Sequence, residues 1–396
     1  MVPARPCPIA QCITTPSPRS SRSTTMSSDQ LIFLVVVLAR LGIPLLIFRF
    51  PLPAIVAALV IDAADQTIFQ NYTDLDLSGY QGYDKALDVY YLAIAYLSTF
   101  RNWTDPFAAR TAQFLWYYRL VGVVAFELSQ VRALLLVFPN TFEYFFICYE
   151  VVRLAWNPER LSHRQVIGIA AFIWIFVKLP QEWWIHVAQL DFTDFMKEDV
   201  FGVEVSTSWG DAIGENLWFV GLMIVLVVAV VLIVRRVLAA APPPDWPASV
   251  DVDRHRQSTR LDAIPAVVRL VEWDLVEKAM LAGLVTVIFA QVLPNTDASA
   301  IQVVFSVSVV VVANAAVSAW LSLQGRSWES TMRQFLAMAV VNAAIMGVYW
   351  LFFRRDAVDE GAAVFFLLLL TLIITLYDRY RPLRSAVYPP IGAVAA

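Results

Sequence analysis

The chain is short of cysteine, histidine and charge, and each shortage removes a class of function. Three of its 396 residues are cysteine. Cys7 and Cys12 fall in a start rich in Pro, Ser and Thr, and Cys148 falls in an apolar run. Neither a disulfide framework nor a thiolate metal site can be built from them. There are three histidines, His163, His186 and His255, which excludes a His-rich metal centre. Charged residues make up only 16% of the chain, against about 25% in a soluble domain. The net charge of −4 gives no general attraction to nucleic acid. No phosphate-binding loop, nucleophile elbow or CxxC pair occurs in a supporting context.

Apolar residues are abundant instead, at 59% of the chain with a mean hydropathy of +0.63. Runs near the length of about 20 residues needed to cross a bilayer recur throughout. Trp and Tyr gather near their ends, as at Trp103, Trp183, Trp184, Trp218, Trp350 and Tyr377, where interfacial anchors belong. The expected fold is all-α, a polytopic transmembrane helix bundle of about 10–11 membrane helices. Spans are expected near 31–48, 52–69, 86–103, 108–138, 140–156, 163–187, 213–236, 273–293, 300–322, 331–353 and 362–378. The stretch 108–138 is long for one span and is expected to tilt or to break near Gly122, with Pro139-Asn140 as its stop.

Residues 1–28 form a tail without helical periodicity, and Met26 is a candidate initiator. A polar-rich bundle over 29–236 precedes a Pro-rich charged loop at 237–272. C-terminal helices over 273–380 and a tail at 381–396 complete the chain. Residues 188–212 carry six acids and a single Lys197, whereas 237–272 hold Arg254, Arg256, Arg260 and Arg269. By the Lys/Arg bias the first loop lies outside, and the second lies in the cytoplasm with the C-terminus. Counting backward puts 70–87 outside. The expected location is a bacterial plasma membrane, with the lipid bilayer as the surrounding partner and no nucleic acid. Spans after 272 are Val, Ala and Leu around isolated Gln291, Asn314 and Asn342, so they read as scaffold.

The chemistry should therefore sit in the first half, where four aspartates interrupt apolar surroundings. Asp62 and Asp65 are three apart and share a helix face, and Asp84 and Asp88, four apart, share another. The first pair ends one expected span and the second opens the next. Convergence of four carboxylates calls for a hard divalent cation, and oxygen-only ligands suit Mg²⁺, Mn²⁺ or Ca²⁺. Such an ion would hold a phosphate and neutralise charge during transfer.

Asp62-Ala-Ala-Asp65, Gly79 and Asp84-Lys-Ala-Leu-Asp88 resemble the CDP-alcohol phosphotransferase signature, D-x2-D-G-x2-A-R-x8-G-x3-D-x3-D. Gln66 stands at its first Gly, Phe69-Gln70 at its Ala-Arg, and one extra residue separates Gly79 from Asp84. The resemblance implies metal ligation by Asp62, Asp65 and Asp84, with Mg²⁺ or Mn²⁺ as cofactor, and a base at Asp88. The chain as a whole resembles bacterial multi-pass membrane proteins, in runs such as Tyr83-Asp-Lys-Ala-Leu-Asp88 and Lys178-Leu-Pro-Gln-Glu-Trp183, a likeness that brings no activity with it.

A second charged set follows. Arg119, Glu143, Lys178, Glu182 and His186 lie within apolar runs, where unpaired charge costs roughly 3 kcal/mol or more. One reading is a substrate site in a polar cavity roofed by Trp183 and Trp184, with Arg119 or Lys178 as a phosphate anchor and with Arg119, like Asp88, a candidate catalytic residue. The other is a set of structural pairs, Arg119 with Glu127 or Glu143 and Glu150 with Arg153. Three functions remain open: a transferase acting on a lipid-linked phosphate or sugar, a carrier whose buried charges form the translocation site, and a non-catalytic envelope component.

Overall fold

The computed structural model describes residues 28–74, 80–190, 192–245, 249–254, 273–292, 328–353 and 360–387. All regular structure among them is helical. Among the described residues, five helices are long and apolar enough to cross a membrane: Ser28–Phe48, Pro51–Tyr72, Ala133–Arg153, His163–Val187 and Leu217–Ala240. The protein is a membrane protein built from helices. The expected span 300–322 lies outside the described residues, as do the tail before 28 and residues 255–272 of the expected loop.

The first helices are α1 (Ser28–Leu45), α2 (Pro51–Tyr72), α3 (Tyr80–Asn102) and α4 (Pro106–Ser129). Their starts follow local chemistry. Pro51 and Pro106 occupy first helical positions, where a missing N–H costs nothing. The Asp105 carboxylate accepts the Phe107 N–H at 2.8 Å and caps α4. Ser162 and Gln165 form a capping box at the head of the His163–Val187 helix.

Helix α3 is the axis of the bundle. Every residue from Ala86 to Phe100 is buried except Asp88. A helix apolar on all sides must be enclosed on all sides. Helices α1, α2 and α4, together with Trp273–Val292 and Glu360–Val387, surround it. One core runs from Ile47 through Tyr96, Trp103, Trp116 and Phe142 to Ile373 and Tyr377. The polar-rich first part and the C-terminal helices therefore share a single core rather than forming separate units.

The stretch expected as one helix over 108–138 is broken, but not at Gly122. Gln130 takes the left-handed conformation (φ 57°) and ends α4. A five-residue helix α5 (Ala133–Val137) then turns back along α4, and Phe138-Pro139-Asn140 leads into α6 (Thr141–Arg153). Helices α5 and α6 together form one stretch, Ala133–Arg153, long and apolar enough to cross a membrane. Gly122 has a different role: a Cβ there would stand 2.0 Å from Phe138 Cβ. Glycine lets the break pack directly on α4.

One end of the bundle is tied together by the segment that follows Leu217–Ala240. Asp251 accepts from Arg49 at 3.0 Å, and Asp253 accepts from Arg101. The Trp156 indole donates to the Pro242 carbonyl at 2.8 Å, and the Val252 N–H to the Arg49 carbonyl at 3.0 Å. Part of the expected loop 237–272 is thus a strap across helix ends. Leu217–Ala240 has no buried residue, and every position from Ile224 to Ala240 is exposed. Trp218 and the pair Arg235-Arg236 bracket its apolar stretch, as anchors at two interfaces would.

The C-terminal helices are less plain than a Val/Ala/Leu scaffold. Glu277 pairs with Arg384 at 2.9 Å and accepts a hydrogen bond from Tyr96 of the central helix, while Lys278 pairs with Asp378 at 2.8 Å. Glu360–Val387 also runs past the expected end of its span at 378, carrying Arg384 into the bundle.

Candidate functional site

The four aspartates converge on a residue that sequence reasoning passed over. Arg40, in the middle of α1, is the only charge in an apolar run extending from Leu31 to Phe48. Its Nη1 donates to Asp65 and Asp84 and its Nη2 to Asp62 and Asp88, the last at 2.9 Å. The pairing follows from helix spacing. Asp62 and Asp65 present one face of α2, Asp84 and Asp88 one face of α3, and Arg40 reaches between them from α1. The helices extend further than expected. Asp62 lies ten residues inside the end of α2, and Asp84 and Asp88 lie in the second and third turns of α3. The cluster is therefore roughly 6–18 Å below the helix ends, at about 1.5 Å per residue.

The four carboxylates are not equivalent. The Arg40 and Asp65 side chains are 4% and 2% exposed, whereas Asp62, Asp84 and Asp88 are 27%, 40% and 41% exposed. One oxygen from each of the three exposed aspartates lies within 4.8 Å of the others. That spacing matches oxygen ligands at about 2.1–2.5 Å around a single Mg²⁺ or Ca²⁺. Four carboxylates against one guanidinium leave a formal charge of −3 at the cluster. Lys85, although it lies between Asp84 and Asp88 in sequence, turns to Glu127 of α4 at 3.0 Å.

The second charged set meets at the break between α5 and α6. The Arg119 guanidinium donates to the Phe138 carbonyl at 3.0 Å and stands 3.9 Å from Glu182. Asn140 gives its backbone N–H to Glu182 at 3.2 Å and its side-chain amide to Glu143 at 2.9 Å. Lys178 lies 3.8 Å from Glu143 and 3.9 Å from the centre of the Tyr144 ring. His186 pairs with Glu182 at 3.0 Å. Arg119, Glu143, Lys178, Glu182 and His186 are thus one constellation, organised by a helix interruption that the sequence had suggested only as a stop.

Several expected contacts take a different form. Arg119 does not pair with Glu127 or Glu143, because Lys85 and Lys178 hold those carboxylates. No hydrogen bond or ion pair joins Arg119 to Asp88 among the described residues. Trp183 is 49% exposed and Trp184 packs edge-on against Phe195. Glu150 and Arg153 pair as expected at 2.8 Å, and Trp103 Nε1 donates to Glu150 at 2.6 Å.

Tyr91 brings the two sets together. It lies three residues beyond Asp88 on the same face of α3, and its hydroxyl donates to Glu143 at 2.6 Å. Arg40, Tyr91 and Asn140 are the residues sequence reasoning missed. For Arg40 the signal was present, as a lone arginine inside an otherwise uncharged apolar run.

Compared with protein-family models, curated proteins and solved structures, the chain matches none.

Removing Arg40 should cost far more than removing any one aspartate, because it strands four carboxylates at once. Arg40→Ala is expected to lose about 3–5 kcal/mol of stability. Arg40→Lys keeps the charge but not the forked geometry, and should lose less. Thermal melts of the protein in nanodiscs check this. An Arg40→Ala protein as stable as the parent would show that the guanidinium does not hold the cluster.

Proposed function

We propose that this protein is a multi-pass transferase of a bacterial plasma membrane that acts on a lipid-linked phosphate or sugar, with the aspartate cluster as a divalent-cation site. The observation that carries this reading is the division among the aspartates. Asp65 is buried against Arg40. Asp62, Asp84 and Asp88 are partly exposed, within 4.8 Å of one another, and short of positive charge. A bound Mg²⁺ or Mn²⁺ would supply electrostatic stabilisation to a transferring phosphoryl group.

The roles differ from those implied by the CDP-alcohol phosphotransferase resemblance. Asp65, there a metal ligand, is here the counter-ion that fixes Arg40. Asp88, there the base, joins Asp62 and Asp84 around the cation. Arg40 supports the site by locking α1, α2 and α3 at one register. Among Arg119, Glu143, Lys178, Glu182 and His186, Glu143 couples with this site, through Tyr91.

Divalent cations are expected to bind the purified protein in nanodiscs. Asp62→Asn, Asp84→Asn and Asp88→Asn should each weaken Mn²⁺ binding by about tenfold or more, from the weight of single groups at metal sites. Calorimetry measures this, and absence of binding by the parent protein would overturn the cation site. Sidedness is tested separately. Cysteine at Asn71 should be labelled by impermeant reagents from outside the cell only, and cysteine at Thr104 from the cytoplasmic side only. Labelling with the opposite polarity would invert the proposed orientation.

A further inference from the structure

Three aspartates of the strap meet three arginines at helix ends. Asp251 accepts from Arg49 at 3.0 Å, Asp253 accepts from Arg101, and Asp245 pairs with Arg160 at 2.6 Å. Asp245 also accepts the Asn157 N–H at 2.9 Å. Each arginine stands where an apolar helix stops. Arg49 follows Ser28–Phe48, Arg101 lies in the last turn of α3, and Arg160 lies between Ala133–Arg153 and His163–Val187. Such positions fall at the depth of lipid headgroups. The Arg49 and Arg160 side chains are 59% and 74% exposed. Ion pairs this exposed are weak and are screened by salt.

The strap covers a buried charge pair. A small cavity beneath it is lined by Val250 and Val252 of the strap, by Pro51 of α2, and by Glu150 and Arg153 of α6. Glu150 and Arg153 are both buried, and so is Val252. Two further contacts hold the strap without using its carboxylates. They are the Trp156 indole on the Pro242 carbonyl and the Val252 N–H on the Arg49 carbonyl. Most of the strap's hold is therefore ionic, and its three acids are its means of attachment.

A guanidinium donates to a phosphate as readily as to a carboxylate, and its fork fits either. The phosphates of anionic lipids lie at the same depth as these arginines, and a bilayer keeps them there at high local density. Arg110 near the start of α4, Arg164 at the head of His163–Val187, and Arg235-Arg236 near the end of Leu217–Ala240 are also exposed. Arg49, Arg101 and Arg160 thus belong to a basic rim of the kind that anionic lipid attracts.

We propose that the strap aspartates and the phosphates of anionic lipids compete for Arg49, Arg101 and Arg160, which makes the strap a lipid-controlled cover over the Glu150–Arg153 pair. In a neutral bilayer the carboxylates hold the arginines and the cover is shut. In an anionic bilayer the phosphates take them, the strap lifts, and Glu150 and Arg153 meet water. The inference uses neither the aspartates of α2 and α3 nor a cation.

Hydrogen exchange of the parent protein in nanodiscs reads the cover directly, because the Val252 N–H is tied to Arg49. The peptide carrying Val252 is expected to exchange about tenfold faster in phosphatidylglycerol than in phosphatidylcholine. Equal protection in the two lipids overturns the proposal, and so does faster exchange throughout the bundle, which would mark general loosening. Asp245→Asn, Asp251→Asn and Asp253→Asn combined should free the same peptide in phosphatidylcholine. A combined variant as protected there as the parent overturns the ionic attachment. The lipid comparison uses the parent alone and decides even if this variant does not fold. Sodium phosphate and sodium chloride at matched ionic strength separate the sources of phosphate. A small, equal acceleration by both in phosphatidylcholine is screening and supports the lipid as ligand. An acceleration specific to inorganic phosphate, as large as that in phosphatidylglycerol, assigns the arginines to free phosphate and overturns the lipid reading.

Discussion

A guanidinium held among four carboxylates is the interaction on which the rest of this structure depends. Arginine suits the position because its planar fork offers five N–H donors in fixed directions and keeps its charge when buried. Placed in α1, it engages two faces that the spacing of aspartates creates on α2 and α3. Three helices are thereby set in one register, and α3 is the axis of the whole core. Breaking such a pairing from one side leaves buried charge without compensation, which is more costly than never having placed it there. The same contact orients three carboxylates toward the exposed side while Asp65 stays enclosed.

The second element is an interruption rather than a contact. A helix broken inside a membrane protein frees backbone groups that something must satisfy, and such breaks persist where protein or a polar cavity receives them. Here Arg119 takes the Phe138 carbonyl, Glu182 takes the Asn140 N–H, and Gly122 removes the side chain that would block the approach. Charged residues scattered through the sequence are thus answers to a local backbone demand. Tyr91, one turn beyond Asp88 on α3, donates to Glu143 and so sets this polar group beside the aspartates.

The helical class, the positions of most helices and the convergence of the aspartates were legible in the sequence, because apolar runs and i, i+3 or i, i+4 spacing are local signals. The partners were not. Arg40 lies 22 residues before the nearest of its carboxylates, and only the packing of three helices brings them together. Arg119 was expected to pair with Glu127 or Glu143. The turn at Gln130 instead folds α5 back along α4 and offers Arg119 a carbonyl. Pro139 announced a stop but not a continuation, since a proline break looks the same in sequence whether the chain leaves the membrane or resumes within it. The pairs joining Glu277 to Arg384 and Lys278 to Asp378 escaped notice because each residue stands at the edge of an apolar run, where solvated charge is ordinary.

The most direct test is a double-mutant cycle between Arg40→Gln and Asp65→Asn, the two most deeply buried members of the cluster, read as thermal or denaturant stability in nanodiscs. A guanidinium that holds the carboxylates together predicts strong coupling, with the double variant more stable than the sum of the single losses by about 1–3 kcal/mol. Additive losses, within about 0.5 kcal/mol, would contradict the account.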